Sequence, residues 1–400
     1  MKIVISCRIL GTQKHLLNSD EGESFKWVSD IPDDAWVLDD RPVVRDLKAI
    51  SDATGRDVFS FSKTPHGCAW KEILKKHKGE SIDIPWADVI PTGQFKRYLL
   101  DALDQLWMIS REEIDGYYMN EFISNRELLL SLHRAAVDRD IIQDLLSDDL
   151  TVNKSELKKF YSDDGLSPAV RYGQSGSITG RLIIKEGPNI LTLKKSNRKI
   201  FKSRYPGGSL IQIDIVSLEP RIALAVADKE IPGDIYSWVR DNVLMGEVTR
   251  NQAKIVTISC LYGMSAWSLS KRLPDSIDAR QALSDVREYF DIPYMESNLK
   301  RQYNKNGFIK NFYNRRIKSG DAFVNHYLQS TGVDVSLESF RWVIDKLKTE
   351  KINAIPIFVI HDAIILDVKS GVDKIKDIVS DGIPIQKLNK KFPVTVENIC

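Results

Sequence analysis

The sequence predicts an α+β protein with more than one structural unit, and three observations point to this class. The chain has 400 residues, whereas single domains usually contain about 100–200 residues. Strand-like apolar runs, such as SLIQID at residues 209–214, occur together with runs of helical spacing. Hydrophobic residues make up 42% of the chain and charged residues 28%. These proportions exclude a disordered or fibrous protein and are typical of a chain that buries a substantial core.

Residues 1–112 are predicted to form a separate small α/β unit. The opening run MKIVISCRIL predicts a first β-strand, because Arg8 interrupts the apolar stretch and no small-residue cleavage site of a signal peptide follows. The four cysteines have no paired spacing, which argues against a disulfide framework or a zinc site and favours a reducing compartment. We therefore expect a cytoplasmic protein without a membrane span. No motif in this unit assigns it a role.

The pattern becomes helical at Ser124. Ser124 and Glu127 have the spacing of a capping box, and Leu128, Leu132 and Ala136 recur at helical spacing, which predicts a long amphipathic helix. A second polar-capped stretch, at residues 153–160, precedes the Gly- and Ser-rich segment GQSGSITGRL.

Two basic runs contain no acidic residue. Residues 194–204 carry six cations and residues 297–320 carry seven, although the formal net charge of the whole chain is only +2. Each run is a candidate phosphate-contacting surface. Taken alone, each is more simply explained as a solvated basic face.

Two aspartates mark a candidate metal site. Asp214 ends the run SLIQID, which predicts a half-buried strand, and His361 and Asp362 lie at the tip of a predicted apolar hairpin, IPIFVIHDAIILDV. Either feature alone is usually an ordinary turn. Together, two carboxylates delivered by strands can converge on a pair of divalent cations, which is the arrangement that phosphoryl transfer requires.

A second candidate site is a stripe of side chains on a predicted helix. Arg250, Lys254, Ile258 and Tyr262 are each four residues apart, so they lie along one face. Two cations one turn apart suit a triphosphate, although such a stripe is more often a solvated surface. Tyr262 is followed by Gly263, and an aromatic residue beside a glycine offers a stacking surface with close backbone approach. This ending favours nucleotide binding.

In order and spacing, these residues resemble the three polymerase motifs of family A (DNA polymerase I-like) DNA polymerases. Two flanking segments also resemble the family, one by its Thr-Gly-Arg-Leu and Pro-Asn strand and the other by its Asn-x-x-x-Gln helix. The resemblance spans about residues 116–400 and is specific because all five segments occur in the family's order. The five segments are residues 177–189, 214–221, 250–263, 322–335 and 361–362.

The resemblance implies a polymerase domain at 113–400 with the shape of a right hand. Its antiparallel palm sheet would occupy about 166–232 and 319–400, its helical fingers about 233–318, and a reduced helical thumb about 116–165. Family members often carry an exonuclease on the N-terminal side, whose first metal motif is Asp-x-Glu. No Asp-x-Glu occurs before residue 115, so we expect no 3′→5′ exonuclease.

The resemblance also implies roles for individual residues. Asp214, Asp362 and the backbone carbonyl of Ile215 would bind two Mg²⁺ ions, for which Mn²⁺ can substitute. Arg250 and Lys254 would hold the incoming triphosphate, and Lys254 would protonate the departing pyrophosphate.

Further positions would recognise the nucleotide and the DNA. Glu219 matches the steric gate that excludes a ribose 2′-hydroxyl, and Tyr262 would stack near the templating site. Ile258 lies four residues before Tyr262 on the nucleotide-binding helix. The implied partners are primer–template DNA and deoxynucleoside triphosphates, with the chain acting as a monomer and any processivity partner left open. The implied primer–template contacts are Arg181, Asn189, Asn325, Gln329 and His361.

Three positions depart from the family pattern. Ala363 replaces the glutamate that usually completes the third motif, Ile258 replaces an aromatic residue, and Asp321 stands where an arginine is usual. Two alternatives remain open: a related single-subunit RNA polymerase, in which a third motif without glutamate is unremarkable, and a non-catalytic DNA-binding remnant of the fold. Glu219 argues against the first, because it would clash with a ribonucleotide. The retained carboxylates and cations argue against the second.

Overall fold

The protein is described by a computed structural model that covers residues 2–19, 24–39, 41–76, 84–112, 116–148 and 154–399. The chain divides into two compact units, Met1–Ser124 and Asn125–Cys400. The boundary that the sequence predicts after residue 112 adjoins residues 113–115, which lie outside the described residues. That domain assignment stays a prediction.

The N-terminal unit has mixed α/β content, as expected. Its sheet has the strand order β3-β2-β1-β4, in which β1 is antiparallel to β2 and parallel to β4. The strands are β1 (Ile3–Ile5), β2 (His15–Asn18), β3 (Phe25–Val28) and β4 (Trp36–Leu38). The helices are α1 (Cys7–Leu10), α2 (Leu47–Thr54), α3 (Pro65–Lys76), α4 (Trp86–Val89) and α5 (Thr92–Glu112), with a 3₁₀ turn at Phe61–Lys63.

The single first strand expected over residues 1–10 is wrong in its second half. Strand β1 stops at Ile5, and helix α1 follows. The Ser6 side chain caps this helix by accepting a hydrogen bond from the Arg8 N–H, and Gly11 ends it with φ 67°. The N-cap serine and the C-terminal glycine therefore outweigh the apolar run.

The C-terminal unit is larger and combines helices with short antiparallel sheets. Helix α6 (Gly116–Leu130) spans the boundary between the two units. The helices that follow are α7 (Arg139–Ser147), α8 (Lys154–Lys158), α9 (Leu218–Val226), α10 (Ile235–Trp238), α11 (Arg250–Leu261), α12 (Ala266–Ser270), α13 (Ala279–Tyr289), α14 (Ile292–Asn306), α15 (Phe323–Thr349) and α16 (Val372–Val379). Shorter turns of helix are the 3₁₀ segments Ile190–Thr192 and Lys195–Ile200 and the π-helix Val239–Val243.

The strands of this unit form several small sheets and one central sheet. They are β5 (Ala136–Val137), β6 (Arg171–Gly173), β7 (Ile183–Glu186), β8 (Phe201–Lys202), β9 (Ser209–Ile215), β10 (Ile309–Lys310), β11 (Arg316–Ile317), β12 (Ala354–Ile360), β13 (Ala363–Val368), β14 (Ile383–Ile385), β15 (Lys390–Phe392) and β16 (Val394–Asn398). The central sheet has the order β12-β13-β9-β16, and all its pairs are antiparallel.

Strand β9 and the hairpin β12–β13 confirm two strand predictions. The half-buried character expected for β9 is wrong, because Leu210, Ile211 and Ile213 are at most 1% exposed. The reason is its position in the sheet: β9 lies between β13 and β16 and carries buried side chains on both faces. A strand covered on both faces does not show a clear alternation of apolar and polar residues.

The capping box expected at Ser124 is wrong. Ser124 and Glu127 lie inside helix α6, which begins at Gly116 and ends at Leu130. Leu132 lies beyond this end, and Ala136 belongs to strand β5. The second polar-capped stretch, at residues 153–160, begins at Asn153, which lies outside the described residues. Helix α8 (Lys154–Lys158) covers most of the remainder of this stretch. Capping signatures are local, and here the helix starts earlier in the chain.

The strand expected from residue 177 is also wrong in its first part. Residues 177–182 form a turn and an irregular segment, and β7 begins only at Ile183. Gly180 has φ 74° and donates its N–H to the Ser177 carbonyl at 3.1 Å, which closes the turn. A positive φ is incompatible with an extended strand. Arg181 therefore lies on a loop.

A buried ion pair ties this loop region to helix α15. Arg315 donates two hydrogen bonds to Asp334, at 2.7 and 3.1 Å, and a third to the Gln174 carbonyl at 3.0 Å. Asn311 adds a hydrogen bond to the same carboxylate at 2.7 Å. The Asp334 side chain is 0% exposed and that of Arg315 is 7% exposed. Each charge therefore has an oppositely charged partner inside this network.

Among the described residues, no helix combines the length and the apolar character that a membrane span requires.

Replacing Asp334 by asparagine is expected to lower the free energy of unfolding by about 3–5 kcal/mol, because the buried Arg315 charge would lose its counterion. Asp345→Asn is the matched control, since Asp345 pairs with Lys348 at 3.8 Å on the surface and is 75% exposed. Urea unfolding of both variants measures the difference. Equal, small losses would show that the buried pair does not support the fold.

Candidate functional site

The two predicted metal-binding aspartates lie side by side in the central sheet. Asp214 is near the end of β9, and Asp362 follows the end of β12 in the turn to β13. Ala363 is paired with Asp214, and the Ile215 N–H donates to the Asp362 carbonyl at 3.2 Å. The pairing of β9 with β13 therefore brings both carboxylates and the backbone of Ile215 to one place.

Both loops at this place contain a residue in the left-handed backbone region. His361 has φ 55° in the two-residue loop between Ile360 and Ala363, and Ser217 has φ 54° just before α9. A left-handed conformation in a residue with a side chain costs on the order of 1–3 kcal/mol and concentrates at functional sites. These two turns direct the chain sharply away from the ends of the strands that carry the aspartates.

The electrostatics of the pair disfavour two negative charges without a cation. Burial, and next the charge of Asp362, raise the pKa of Asp214 to about 6. Burial, and then the charge of Glu219, also raise the pKa of Asp362. A bound cation would remove this cost by pairing with both carboxylates.

The donor set fits a hard divalent cation such as Mg²⁺, which prefers oxygen ligands and retains several water or phosphate ligands. Asp214 and Asp362 supply carboxylate oxygens, and the backbone of Ile215 adjoins them. Within the described ranges, no three His, Cys, Asp or Glu side chains gather closely enough to hold an ion.

One cleft brings together five of the predicted site residues. Its wall is completed by α15, where Gly332 faces Leu218 of α9. A Cβ at Gly332 would lie 3.2 Å from the Leu218 Cδ2 atom, so glycine allows the two helices to approach closely. The five predicted residues that line the cleft are Arg181, Glu219, Gln329, His361 and Asp362.

Glu219 is held in this cleft by two neighbours. The Tyr262 hydroxyl donates to Glu219 Oε1 at 3.1 Å, and Arg181 lies 3.8 Å from the same oxygen. Burial and the adjacent Glu219 charge raise the pKa of Tyr262, so its hydroxyl keeps the proton that it donates. The end of helix α11 is thereby joined to the first turn of α9.

Helix α11 confirms the predicted stripe. Thr249 and Gln252 form a capping box at its start, and Tyr262 is its C-cap residue. Arg250 and Lys254 are exposed and Ile258 is half-buried on the same face. Neither cation lines the cleft that contains Glu219 and Asp362.

The sequence did not single out the two residues that contact these cations. Asp234 accepts two hydrogen bonds from Arg250, at 2.7 and 3.0 Å, and this pairing lowers the pKa of Asp234 and raises that of Arg250. The Tyr236 ring lies 5.5 Å from the Arg250 guanidinium and 5.6 Å from the Lys254 ammonium. The signal available in the sequence was only an aspartate capping α10, which is too common to be specific.

Gln212 is a further contact that the sequence did not single out. Its Nε2 donates to Asp214 Oδ2 at 3.0 Å, and its Oε1 accepts from Arg198 at 2.9 Å. Residues two apart on a strand share a face, so the spacing from Asp214 could have suggested this contact.

The remaining predicted DNA contacts divide into two cases. Asn325 accepts a hydrogen bond from Gln329 one turn along α15 and lines a second cleft with Tyr262 and Asp321. Asn189, in contrast, uses its side-chain oxygen to cap the 3₁₀ turn at Ile190–Thr192, by accepting from the Leu191 N–H at 3.1 Å. This oxygen has a local structural partner, and Asn189 does not line either cleft.

Large parts of the chain are similar to known proteins. A family model of DNA polymerase family A matches residues 153–398. DNA polymerase I of Pseudomonas aeruginosa is 23% identical over 260 residues, which cover 54% of this chain and 28% of that protein. The chain thus spans less than a third of the length of this relative. The POL domain of Pol1 from M. smegmatis, solved in complex with DNA primer-template and dNTP, has a TM-score of 0.60 at 15% identity, covering 88% of this chain and 81% of that chain. This structural likeness concerns the fold.

The raised pKa of Asp214 predicts a pH-dependent stability of the metal-free protein. Below about pH 4 the carboxyl is protonated in the folded and unfolded states alike. Between about pH 4 and pH 6 the unfolded chain releases this proton whereas the folded state still holds it, so stability is lost as pH rises across that range. Asp214→Asn should therefore stabilise the protein at pH 7.5, by about 1 kcal/mol once solvent screening is allowed for.

Thermal unfolding in EDTA at pH 4 and pH 7.5 tests this expectation, with Asp373→Asn as a control at a carboxyl that is 93% exposed. The stabilisation by Asp214→Asn should disappear at pH 4. An equal gain at both pH values would contradict the assigned ionisation.

Proposed function

This chain belongs to DNA polymerase family A, and from that premise we propose that it adds deoxynucleotides to the 3′ end of a primer in a template-directed reaction. The observation that carries the proposal is the meeting of Asp214 and Asp362 through the paired ends of β9 and β13. This place is joined, through Glu219 and Tyr262, to a helix with two cations one turn apart.

Family A DNA polymerases use divalent metal ions. In this chain Asp214, Asp362 and the carbonyl of Ile215 would hold two Mg²⁺ ions, or Mn²⁺ in their place. Bound there, the ions would activate the primer 3′-oxygen and neutralise the leaving pyrophosphate. The raised pKa values of the two half-buried carboxyl groups support this role, because a bound cation would offset the cost of ionising them.

Arg250 and Lys254 would bind the triphosphate of the incoming nucleotide. Arg250 is held by Asp234, and both groups are nearly half exposed, so a phosphate can exchange with this carboxylate at little cost. Lys254 carries no such ion pair among the described contacts and lies over the Tyr236 ring. It would bind the phosphates directly and donate a proton to the pyrophosphate as it leaves.

Glu219 and Tyr262 would select the sugar and position the new base pair. The hydrogen bond between them holds the Glu219 carboxylate in the cleft beside Asp362, where it would clash with a ribose 2′-hydroxyl. Ile258 lies one turn before Tyr262 and would contact the nucleotide with an aliphatic surface.

The primer–template would lie along the cleft and along α15. Arg181, Gln329 and His361 line the cleft, and Asn325 follows on the same helix as Gln329. Asn189 would contact the DNA through its side-chain amide nitrogen, since its side-chain oxygen caps a turn. The exposed lysines of the basic run at residues 194–204 would grip the DNA further.

The parts of the right hand are assigned accordingly. The palm would comprise about 166–232 and 319–400, which contain the central sheet, and the fingers about 233–318, which contain α10–α14. The reduced thumb would comprise about 116–165, although residues 116–124 belong to the N-terminal compact unit. Primer extension on a DNA template with dNTPs or NTPs, with and without Mg²⁺, tests the whole proposal and distinguishes a DNA from an RNA polymerase.

Asp214→Ala and Asp362→Ala should each abolish nucleotide incorporation, because neither remaining carboxylate alone can hold the ions that the reaction needs. Binding of primer–template, measured by fluorescence anisotropy, should stay close to that of the unsubstituted protein. Asp373→Ala, at an exposed carboxylate on α16, is the control. Normal extension by either site variant would refute the metal assignment.

Glu219→Ala should increase the use of ribonucleotides relative to deoxyribonucleotides by about 10-fold or more, because it removes the group that excludes the 2′-hydroxyl. Tyr262→Phe keeps the ring and removes the hydrogen bond to Glu219. It should give a smaller change in the same direction. Single-turnover incorporation of matched ribo- and deoxyribonucleotides measures both, and an unchanged ratio in Glu219→Ala would place the discrimination elsewhere.

A further inference from the structure

We infer that Gln212 is a positioning residue for the metal site, which orients the Asp214 carboxylate and is itself oriented by Arg198. This inference rests on the proposed function and deepens it. Gln212 is not assigned any contact with the substrate or the ions.

Gln212 reaches Asp214 along the same strand. The two residues are two apart on β9, so their side chains lie on one face of the sheet. The Gln212 side chain is among the buried polar groups, at 8% exposure, and its Nε2 donates to Asp214 Oδ2 at 3.0 Å. This contact occupies one of the two carboxylate oxygens, Oδ2.

Arg198 determines which end of the Gln212 amide meets Asp214. A carboxamide has one accepting and one donating end, whereas a guanidinium only donates and an ionised carboxylate only accepts. Arg198 Nη1 donates to Gln212 Oε1 at 2.9 Å, so Nε2 must face Asp214. The reversed amide would set oxygen against the carboxylate and N–H groups against the guanidinium. The two hydrogen bonds thus fix the orientation of the Gln212 amide.

The neighbouring strand β16 carries an ion pair next to Gln212. Glu397 of β16 is paired with Gln212 across the strands and binds Lys195 at 3.0 Å. On the other side, the residue paired with Asp214 is Ala363, whose methyl group cannot orient a carboxylate. Among the contacts of the described residues, the side-chain hydrogen bond to Asp214 comes from Gln212, on its own strand.

Groups that orient a metal ligand typically change metal affinity by about 10–100-fold when they are removed. Gln212→Met has a similar length and cannot donate a hydrogen bond to Asp214. We expect it to weaken Mn²⁺ binding by about 10-fold and to raise the Mg²⁺ concentration for half-maximal extension by a similar factor. Its affinity for primer–template should be unchanged, because Gln212 contacts the metal ligand and not the DNA.

The direct readout is titration of Mn²⁺, followed by electron paramagnetic resonance, into the complex with a dideoxy-terminated primer–template, so that no turnover occurs. Gln281→Met is the matched control. Gln281 also donates its Nε2 to an aspartate, Asp285 at 2.7 Å, but on the exposed surface of α13. It should bind Mn²⁺ like the unsubstituted protein. Unchanged Mn²⁺ affinity in a folded Gln212→Met protein would overturn the inference.

A second pair of variants covers the case in which Gln212→Met does not fold. Arg198→Met leaves the amide free to rotate and should weaken Mn²⁺ binding, whereas Arg198→Lys retains a donor and should restore most of it. Equal Mn²⁺ affinity in these two variants and the unsubstituted protein would show that Arg198 does not orient Gln212 at the metal site. If the unsubstituted protein neither binds Mn²⁺ nor extends a primer, the proposed function itself fails. If it does both and only the variants behave alike, the inference alone fails.

Discussion

The antiparallel pairing of β9 with β13 is the constraint on which the site depends. It sets Ala363 opposite Asp214 and lets Ile215 donate to the Asp362 carbonyl, so both carboxylates reach the same place. A slip of one residue would turn Asp214 to the opposite face of the sheet. The cost of burying polar groups prevents such a slip, because it would turn Gln212 and Asp214 into the apolar cluster that now contains Ile211 and Ile213.

Two cations of the site, Arg250 and Arg181, lie next to protein carboxylates at solvent-exposed positions. Asp234 holds Arg250, and Glu219 lies near Arg181, in both cases with one or both side chains well exposed to solvent. Such pairs contribute little free energy, so an anionic ligand can replace the protein carboxylate. The Arg315–Asp334 pair is different, because both groups are buried and their separation would leave an unpaired charge. The exposed pairs can therefore respond to ligands, and the buried pair holds the surrounding frame.

The sequence predicted those elements whose pattern is local and strong. Three elements lie where the sequence pattern predicts them. They are the hairpin with Asp362 in its turn, the strand that carries Asp214, and the helix with Arg250 and Lys254. Local signals failed where a stronger neighbouring signal competed with them. The capping pattern at Ser124 lies within a helix that starts at Gly116, and the left-handed Gly180 interrupts a predicted strand.

The order and type of the chemical groups were thus determined by the sequence alone, whereas their partners were decided only by tertiary structure. Periodicity indicates which face of a helix or strand a side chain occupies, but not which element packs against that face. Tyr262 meets Glu219 43 residues away, and Arg315 meets the Gln174 carbonyl 141 residues away. The orientation of Gln212 follows from Arg198, which approaches from a separate 3₁₀ turn. Contacts between distant segments depend on how the buried elements pack, and that packing is a property of the whole folded chain.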